Sequence, residues 1–385
     1  MKILYCVPQL YRAGGIERVV TLKVNSLVEV YGYEVIIVTS DQRGAPFYYP
    51  LSNRVKVYDL GIDYDSLLKL PLYRRIPKRA EYREIHKRRL SKLFSDLKVD
   101  VVISTFTHEA SFLPQIKDGS KKILESHFCR GHKRMMADVF GFSLPTKLAY
   151  YFRCWQEENI IIPRYDKFVV LTEEDRDRWG SEVKGVVCIP NISPFSDAEE
   201  QRAELTNRQA IAVGRLDAQK GFDRLISIWA DVNALRPDWI LNIYGAGEDE
   251  AKLRRQISDL NLEAAVFINP PERGIKERYL ESSIFLMTSR YEGLPMTLLE
   301  AQSLALPTVA YDFKCGVRDV VEDNVSGYIV REGDRKMFVS RVLSLIDDPN
   351  LRLKMGRNAF EAQKHYSNGI IMKKWIALFD SLLQQ

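Results

Sequence analysis

The chain has 385 residues, 46% of them hydrophobic and 28% charged, and a formal net charge of +5. This balance is typical of a globular protein and excludes a disordered chain, while the length exceeds one hydrophobic core and predicts two domains. The modest charge argues against a uniformly nucleic-acid-binding surface, and no apolar run is long enough to predict a transmembrane helix.

Short apolar runs alternate with amphipathic stretches, a pattern that predicts βαβ units. Five predicted strands in the first half are Lys2–Val7, Tyr33–Thr39, Val99–Thr105, Lys122–Glu125 and Phe168–Leu171. Six more in the second half are Ala210–Gly214, Ile240–Tyr244, Val266–Ile268, Ile284–Thr288, Pro307–Tyr311 and Gly327–Val330. We therefore expect an α/β protein with two Rossmann-like, doubly wound sheets.

The proline-containing segment Pro190–Pro194 and the polar stretch after it predict the linker between these sheets. We expect a first domain over residues 1–193 and a second over 194–365. Apolar residues recur at helical spacing from Met372 to Leu382. Residues 366–385 are accordingly predicted to form a helix that crosses back to the first domain.

Gly14 and Gly15 follow the first strand and precede a helix with apolar periodicity over Val19–Val28. Glycines at such a junction let a diphosphate approach the backbone, and the helix N-terminus favours its charge. The spacing is not Gly-x-Gly-x-x-Gly, so a sugar diphosphate is favoured over a dinucleotide. The alternative is a simple strand-to-helix turn.

The segment Lys69–Lys92 carries ten lysines or arginines and two glutamates. With its interleaved apolar residues, it predicts either peripheral contact with an anionic membrane or a solvated helix face. Nucleic-acid binding is a weaker interpretation because no recognised module accompanies the charge.

His127 follows a strand of the first domain and is a candidate to orient or polarise a reacting sugar, or else a hydrogen-bonded structural group. Thr172 and Glu173 predict a helix cap. Asp175 and Asp177 resemble a metal-binding Asp-x-Asp pair, but their charged neighbours favour the first turn of a helix. No metal site is expected.

Arg215 and Lys220 lie in the loop after the first strand of the second domain. Both could converge on a pyrophosphate, or both could be solvated surface cations. Gly245 and Asn269 follow further strands, and Asn269 could line a base pocket. Ligands of open α/β sheets bind at this carboxyl edge.

Glu292 and Glu300 flank a predicted loop-to-helix junction, with Pro295 expected in the first helical turn. One carboxylate could face a sugar and the other a ribose. The alternative is a surface glutamate plus one that favours the helix dipole. The backbone N–H groups of Leu294, Met296 and Thr297 could hold a phosphate between the two carboxylates, and Gly293 in the same loop is a further candidate for ligand binding.

These motifs together resemble the retaining glycosyltransferases of family 4, which have two facing Rossmann-like domains, the GT-B fold. The resemblance covers essentially the whole chain. It rests on Gly14-Gly15-x-Glu17, on Val213-Gly-Arg215 followed by Lys220-Gly221, and above all on Ser289–Ala301 followed by Leu306-Pro307. The chain departs from the family at Cys315, where many members have a Gly-Gly or Gly-Pro turn, which puts close donor contacts there in doubt.

The resemblance implies that Glu292 lies by the donor sugar, Glu300 binds the ribose, and Arg215 and Lys220 hold the diphosphate. It assigns His127 to the donor sugar less securely. The implied catalytic set is therefore Glu292, His127, Arg215 and Lys220, with no added metal.

The implied reaction is transfer of a sugar, with retention, from a nucleoside diphosphate. UDP is the expected nucleotide, and the expected acceptor is a hydroxyl of a glycan or lipid-linked molecule in surface polysaccharide biosynthesis. The alternatives are a nucleotide-sugar epimerase or phosphorylase of the same architecture, a catalytically silent partner subunit, and a dehydrogenase.

Five widely separated cysteines without Cys-x-x-Cys spacing indicate buried thiols in a reducing setting. The N-terminal apolar stretch is too short for a signal peptide. A cytoplasmic protein, working at the inner face of the cytoplasmic membrane if the basic segment contacts lipid, is therefore expected.

Overall fold

The computed structural model describes residues 1–180, 183–195 and 201–384. Within the first part of this chain, seven parallel strands form one sheet: β1 (Lys2–Val7), β2 (Glu34–Thr39), β3 (Lys56–Asp59), β4 (Val101–Ser104), β5 (Lys121–Glu125), β6 (Lys167–Val170) and β7 (Val186–Cys188). Their order is β3-β2-β1-β4-β5-β6-β7. The accompanying helices are α1 (Gly15–Glu29), α2 (Leu72–Leu97), α3 (His132–Val139), α4 (Leu144–Gln156) and α5 (Glu173–Trp179).

Later in the described chain, six parallel strands form a second sheet: β8 (Gln209–Val213), β9 (Ile240–Tyr244), β10 (Val266–Asn269), β11 (Ile284–Met287), β12 (Thr308–Tyr311) and β13 (Gly327–Val330). Their order is β10-β9-β8-β11-β12-β13. The helices here are α6 (Phe222–Leu235), α7 (Glu250–Asp259), α8 (Ile275–Leu280), α9 (Met296–Ser303), α10 (Val317–Val320), α11 (Arg335–Asp347) and α12 (Pro349–Gln363).

The two doubly wound sheets and all eleven predicted strands are present. The central strands are buried on both faces, as their continuous apolar runs predict. The prediction missed β3 and β7, which lie at the two edges of the first sheet. Both are short, and their side chains are mostly exposed or half-buried, so neither leaves a buried apolar run in the sequence.

The last helix, α13 (Asn368–Leu383), packs on the first sheet. Its apolar residues at helical spacing enter a cluster that also contains side chains of β1 and β2: Ile371, Met372, Trp375, Leu378, Phe379 and Leu382. Full burial of such a side chain stabilises the fold by about 1.5–3 kcal/mol. Ser193 N–H donates to Tyr366 O at 2.9 Å. The segment that leaves the first domain and the segment that leads back to it therefore lie side by side.

The carboxyl edges of the two sheets face each other, and their loops touch directly. A Cβ placed on Gly15, at the start of α1, would lie 3.6 Å from Met296, at the start of α9. Asn191 Nδ2 donates to Met296 Sδ at 3.4 Å, and Ser193 Oγ donates to Leu299 O at 3.4 Å. The N-termini of α1 and α9 therefore meet across one cleft.

Candidate functional site

The loop from β11 to α9 carries Glu292, and α9 carries Glu300, as predicted. The placement of Pro295 in the first helical turn is wrong by one residue. Its backbone is extended (φ −73°, ψ 102°), and its carbonyl accepts from the N–H groups of Leu298 and Leu299, so it is the N-cap. The helix begins at Met296.

Glu292 lies at the centre of a hydrogen-bond network of the second domain. Lys220 Nζ donates to Glu292 Oε1 at 2.7 Å, and Gln219 Nε2 donates to Glu292 Oε2 at 3.4 Å and to Tyr291 O at 3.0 Å. Arg215 Nη2 donates to Gln219 Oε1 at 3.1 Å. Gln219 thus joins the predicted arginine to the predicted glutamate.

Glycines allow these loops to approach each other. Gly221 has φ +67°, and a Cβ there would lie 2.3 Å from Thr288 O, so this turn requires glycine. A Cβ on Gly245 would lie 1.9 Å from Gly214 O. Gly245 therefore lets two strand-end turns touch, and its predicted place at the ligand-binding edge of the sheet stays a prediction.

Glu300 forms a second set of contacts, this time between the domains. Arg18 Nη1, from α1, donates to Glu300 Oε1 at 2.5 Å, and Tyr279 OH donates to Glu300 Oε2 at 2.9 Å. Burial raises the pKa of Glu300, and Arg18 and Tyr279 oppose that shift. The Arg18 guanidinium also lies 4.9 Å from the ring centroid of Phe195.

The start of α9 offers hydrogen-bond donors to a ligand. Among the described residues, the N–H groups of Leu294, Met296 and Thr297 have no acceptor, and no side chain caps the helix. Thr297 Oγ1 is buried without a partner in the same part of the chain. The Leu294 side chain packs into the core, so only its backbone is available. Such donors favour an anion.

His127 follows β5 and meets the Glu292 loop. A Cβ on Gly293 would lie 2.2 Å from His127 O, so the two loops are in backbone contact. Burial lowers the pKa of His127 to about 4, which keeps its ring neutral near pH 7. Its Nε2 lies 3.6 Å from Glu125 Oε1 and has no hydrogen-bond partner among the described residues.

A buried ion pair lies behind His127. Lys23 Nζ, from α1, donates to Glu125 Oε1 of β5. The Lys23 ammonium lies 4.6 Å from the ring centroid of Trp375 and 5.5 Å from that of Tyr5. Burial raises the pKa of Glu125 and Lys23 lowers it, with a net downward shift.

Gly14 and Gly15 lie on the first-domain side of the cleft, where Gly14 is the N-cap of α1. The side-chain amide of Asn269 donates to Asn242 Oδ1 at 3.3 Å in the neighbouring strand, and not to Glu292 or Glu300. Its predicted place in a base pocket stays a prediction.

The Asp-x-Asp pair does not converge. Thr172 caps α5 as predicted, by accepting from Asp175 N–H at 3.1 Å. The Asp175 carboxylate is buried and accepts from Arg130 N–H, whereas the exposed Asp177 pairs with Arg176. Within residues 1–180, 183–195 and 201–384, no group of three or more His, Cys, Asp or Glu side chains could hold a metal ion.

Cys315 and Gly316 form the turn in which the chain departs from the family pattern. Their φ angles are +66° and +91°, so Cys315 adopts a conformation that glycine would take more readily. A Cβ on Gly316 would lie 2.4 Å from Gly293 O. This turn therefore supports the Glu292 loop from behind.

Five residues that hold these groups were not predicted from the sequence: Arg18, Lys23, Glu125, Gln219 and Tyr279. Lys23 shares the buried face of α1 with Val20, Val24 and Leu27. A lysine at helical spacing with apolar residues is a signal of a buried charge that could have identified it. The pairing of Arg18 with Glu300 spans 282 positions and leaves no local pattern.

Residues 195–362 match the family model described as "Glycosyl transferases group 1". The amylovoran biosynthesis glycosyltransferase AmsD of Erwinia amylovora is 30% identical over 386 aligned positions, which cover 97% of this chain and 98% of that protein. This chain belongs to the group 1 glycosyltransferases. Its enzyme class is therefore that of a glycosyltransferase.

Two solved structures share the fold of this group 1 glycosyltransferase along the whole chain. A Staphylococcus aureus TarM variant in complex with fondaparinux, alpha-GlcNAc-glycerol and UDP has a TM-score of 0.76 at 18% identity, over 98% of this chain and 99% of that one. The pneumococcal O-GlcNAc transferase GtfA, in complex with UDP and GlcNAc, has a TM-score of 0.76 at 13% identity, over 100% and 99%. The predicted GT-B fold is confirmed.

None of the helices that the structure describes is long and apolar enough to cross a membrane.

Proposed function

We propose that this protein transfers a sugar from a UDP-sugar to a hydroxyl of a glycan or lipid-linked acceptor in surface polysaccharide biosynthesis, with retention of the anomeric configuration. The observation that carries the proposal is the convergence of the Lys220–Glu292 pair and the donor-rich start of α9 on one interdomain cleft. UDP in the TarM and GtfA structures supports the nucleotide, and the name of AmsD supports the pathway.

In this proposal, the diphosphate binds at the start of α9. Lys220 and Arg215 supply positive charge, and the backbone N–H groups of Leu294, Met296 and Thr297 supply directed hydrogen bonds. Glu300 accepts from the ribose hydroxyls. A carboxylate offers about four lone-pair positions, so it can do this while Arg18 and Tyr279 remain bound.

The chemistry follows from these positions. The bond between the anomeric carbon and the β-phosphate oxygen breaks, and a bond from the acceptor oxygen to that carbon forms on the same face. The acceptor proton passes to the departing phosphate. Lys220, Arg215 and the helix N-terminus stabilise the charge that develops on UDP, in place of a divalent metal.

Glu292 and His127 act on the sugar in this mechanism. With a pKa lowered to about 4, His127 is a neutral hydrogen-bonding group at pH 7 and not a general acid. Glu292, held by Lys220 and Gln219, accepts hydrogen bonds from sugar hydroxyls and adds negative charge near the developing oxocarbenium ion.

The decisive experiment compares Glu292→Gln with Glu300→Gln. We expect Glu292→Gln to slow transfer about 100-fold with a small change in UDP affinity, because its charge is used mainly in the transition state. We expect Glu300→Gln to weaken UDP-sugar binding about tenfold, since one charged hydrogen-bond partner of the ribose is lost. Glu361→Gln, on the exposed surface of α12, is the matched control.

Thermal-shift measurements with UDP, GDP and ADP, before any kinetics, test the nucleotide. Product analysis by NMR then separates transfer from its alternatives, since an epimerase needs no acceptor. A wild-type protein that binds no sugar nucleotide would be a silent partner subunit. Activity that is abolished by EDTA and restored by Mg²⁺ would contradict the metal-independent mechanism.

A lipid-linked acceptor would place the protein at the inner face of the cytoplasmic membrane. The predicted basic segment Lys69–Lys92 forms most of α2, and many of its cations are exposed. Its proposed role is peripheral contact with anionic lipid.

A further inference from the structure

Glu300 is a buried carboxylate whose two oxygens accept hydrogen bonds from two different domains. Tyr279 OH, from α8 of the second domain, donates to Oε2 at 2.9 Å, and Arg18 Nη1, from α1 of the first domain, donates to Oε1 at 2.5 Å. The side chains of Glu300 and Arg18 are 6% and 20% exposed. The orientation of this carboxylate is therefore fixed from both sides only while the first domain lies against the second.

The Arg18 guanidinium is held in place by groups other than Glu300. Its central carbon lies 4.9 Å from the ring centroid of Phe195 and 5.8 Å from that of Tyr49. The next two residues of α1, Val19 and Val20, are fully buried, so the helix that presents the arginine is anchored in the first domain. A side chain that packing fixes on a regular helix can hold a functional group in one orientation.

Arg18 also affects the charge of Glu300. A buried acid without a cation favours its neutral form, in which one oxygen carries a proton and accepts fewer hydrogen bonds. Burial raises the pKa of Glu300, and the Arg18 charge opposes this shift more strongly than Tyr279 and Lys220 do. The arginine therefore favours a carboxylate that only accepts hydrogen bonds.

A ribose matches the free capacity of this carboxylate. Each carboxylate oxygen has about two lone-pair positions, so each keeps one beside its present donor, and a ribose offers its 2′-OH and 3′-OH as donors. Glu300 follows Thr297 by about one turn of α9. A diphosphate at the start of α9 and a ribose at Glu300 can therefore belong to one nucleotide.

We propose that Arg18 is a positioning residue for ribose recognition, which orients the Glu300 carboxylate toward the 2′-OH and 3′-OH of the nucleotide. The inference rests on the proposed binding of the ribose by Glu300 and adds a first-domain residue to it. Arg18 leaves Glu300 if the domains separate, so affinity for a ribonucleotide is highest in the closed arrangement. By linkage, the bound nucleotide stabilises that arrangement in turn.

The preference for UDP over 2′-deoxy-UDP, measured by calorimetric titration of each, tests this role because the two differ in one ribose hydroxyl. We expect a preference of about tenfold in the wild type, and little preference in Glu300→Gln. Arg18→Gln should reduce it to about threefold, since Tyr279 still holds the carboxylate. Arg18→Lys keeps the charge without the planar donor group and should lie between Arg18→Gln and wild type.

The matched control is another arginine–glutamate pair of α1. Arg54 contacts Glu29, the last residue of the helix, and their side chains are 52% and 50% exposed. Arg54→Gln removes an exposed ion pair and should keep the wild-type preference for UDP.

The double variant Arg18→Gln/Glu300→Gln separates positioning from direct contact with the nucleotide. An arginine that acts through Glu300 has no further effect once that carboxylate is replaced, so the double variant should bind UDP as Glu300→Gln does. A further loss of UDP affinity, by the factor that Arg18→Gln causes alone, would show that Arg18 acts independently and would overturn the proposal.

Circular dichroism and thermal unfolding establish that each variant is folded, and Arg18→Lys carries the test if Arg18→Gln does not fold. Equal weakening of UDP and 2′-deoxy-UDP would assign Arg18 to the domain contact alone, and tighter UDP binding would show competition with the ribose. Either result overturns the proposal. An unchanged preference in Glu300→Gln would instead overturn the proposed ribose site, whereas a preference lost in Glu300→Gln but unchanged in both Arg18 variants would overturn the role of Arg18 alone.

Discussion

Two lysine–glutamate pairs, one in each domain, have the same chemistry but different surroundings. Lys23 and Glu125 have side-chain exposures of 1% and 1%, and the rings of Tyr5 and Trp375 lie against the lysine. Lys220 and Glu292 have exposures of 15% and 8% and border the interdomain cleft. An enclosed pair can only hold the fold together, whereas a pair at the cleft can exchange one partner for a ligand.

The enclosed pair gives the largest expected effect. Lys23→Met leaves the Glu125 carboxylate buried without its partner, which should lower the free energy of unfolding by about 3–5 kcal/mol. The double variant Lys23→Met/Glu125→Leu should recover most of this loss, because it removes both charges. Urea denaturation at pH 7 measures both. Equal losses in the single and double variants would show that packing, and not the charge, is responsible.

The pair at the cleft should affect binding more than folding. Lys220→Ala should weaken UDP binding by about 10–100-fold, since a charge-assisted hydrogen bond contributes about 1.5–3 kcal/mol. Calorimetric titration with UDP measures this effect. Lys336→Ala, an exposed lysine on α11, is the control and should bind as wild type. Unchanged UDP affinity in the Lys220→Ala protein would contradict a ligand-binding role for the pair at the cleft.

Per pH unit, the smallest expected effect is a pH dependence of stability. Burial lowers the pKa of His127 to about 4, below the value near 6.5 of an unfolded chain. Between these values the unfolded state binds more protons, so the free energy of unfolding should fall as the pH decreases from 6.5 to 4, by up to about 1.4 kcal/mol per pH unit for this residue.

His127 does not act alone in this pH range. Burial also lowers the pKa of His108 to about 4 and those of His86 and His132 to about 3. His127→Gln should therefore reduce the slope without abolishing it. His365→Gln, at an exposed position, serves as the control. A slope that is unchanged in His127→Gln would contradict the burial of a neutral imidazole beside the Lys23–Glu125 pair.

The sequence predicted the second-domain part of the site more fully than the first. Glu292 and Glu300 lie in one short motif, and Lys220 precedes a glycine that the turn requires. Such local patterns follow from backbone geometry. The Lys23–Glu125 pair spans 102 positions, and its enclosure depends on a third segment from the C-terminus. No single stretch of sequence contains that information.

Helix α4 shows a different limit of prediction. Its exposed residues Leu144, Leu148, Phe152 and Trp155 have the spacing of a helix buried on one side, and periodicity alone would assign this apolar stripe to the core. The structure places it outside, because the first-domain core is already filled by other helices and by side chains of the sheet. Periodicity predicts the face of a helix but not what covers that face.

The return of α13 to the first sheet has a consequence for synthesis. Trp375 lies against Lys23, but it leaves the ribosome 250 positions after Glu125. At about 5–20 residues per second, that interval is on the order of tens of seconds. During it, the α13 surface of the first domain stays uncovered, and the lysine behind His127 lacks the Trp375 ring. The domain that is translated first is therefore the last to be completed.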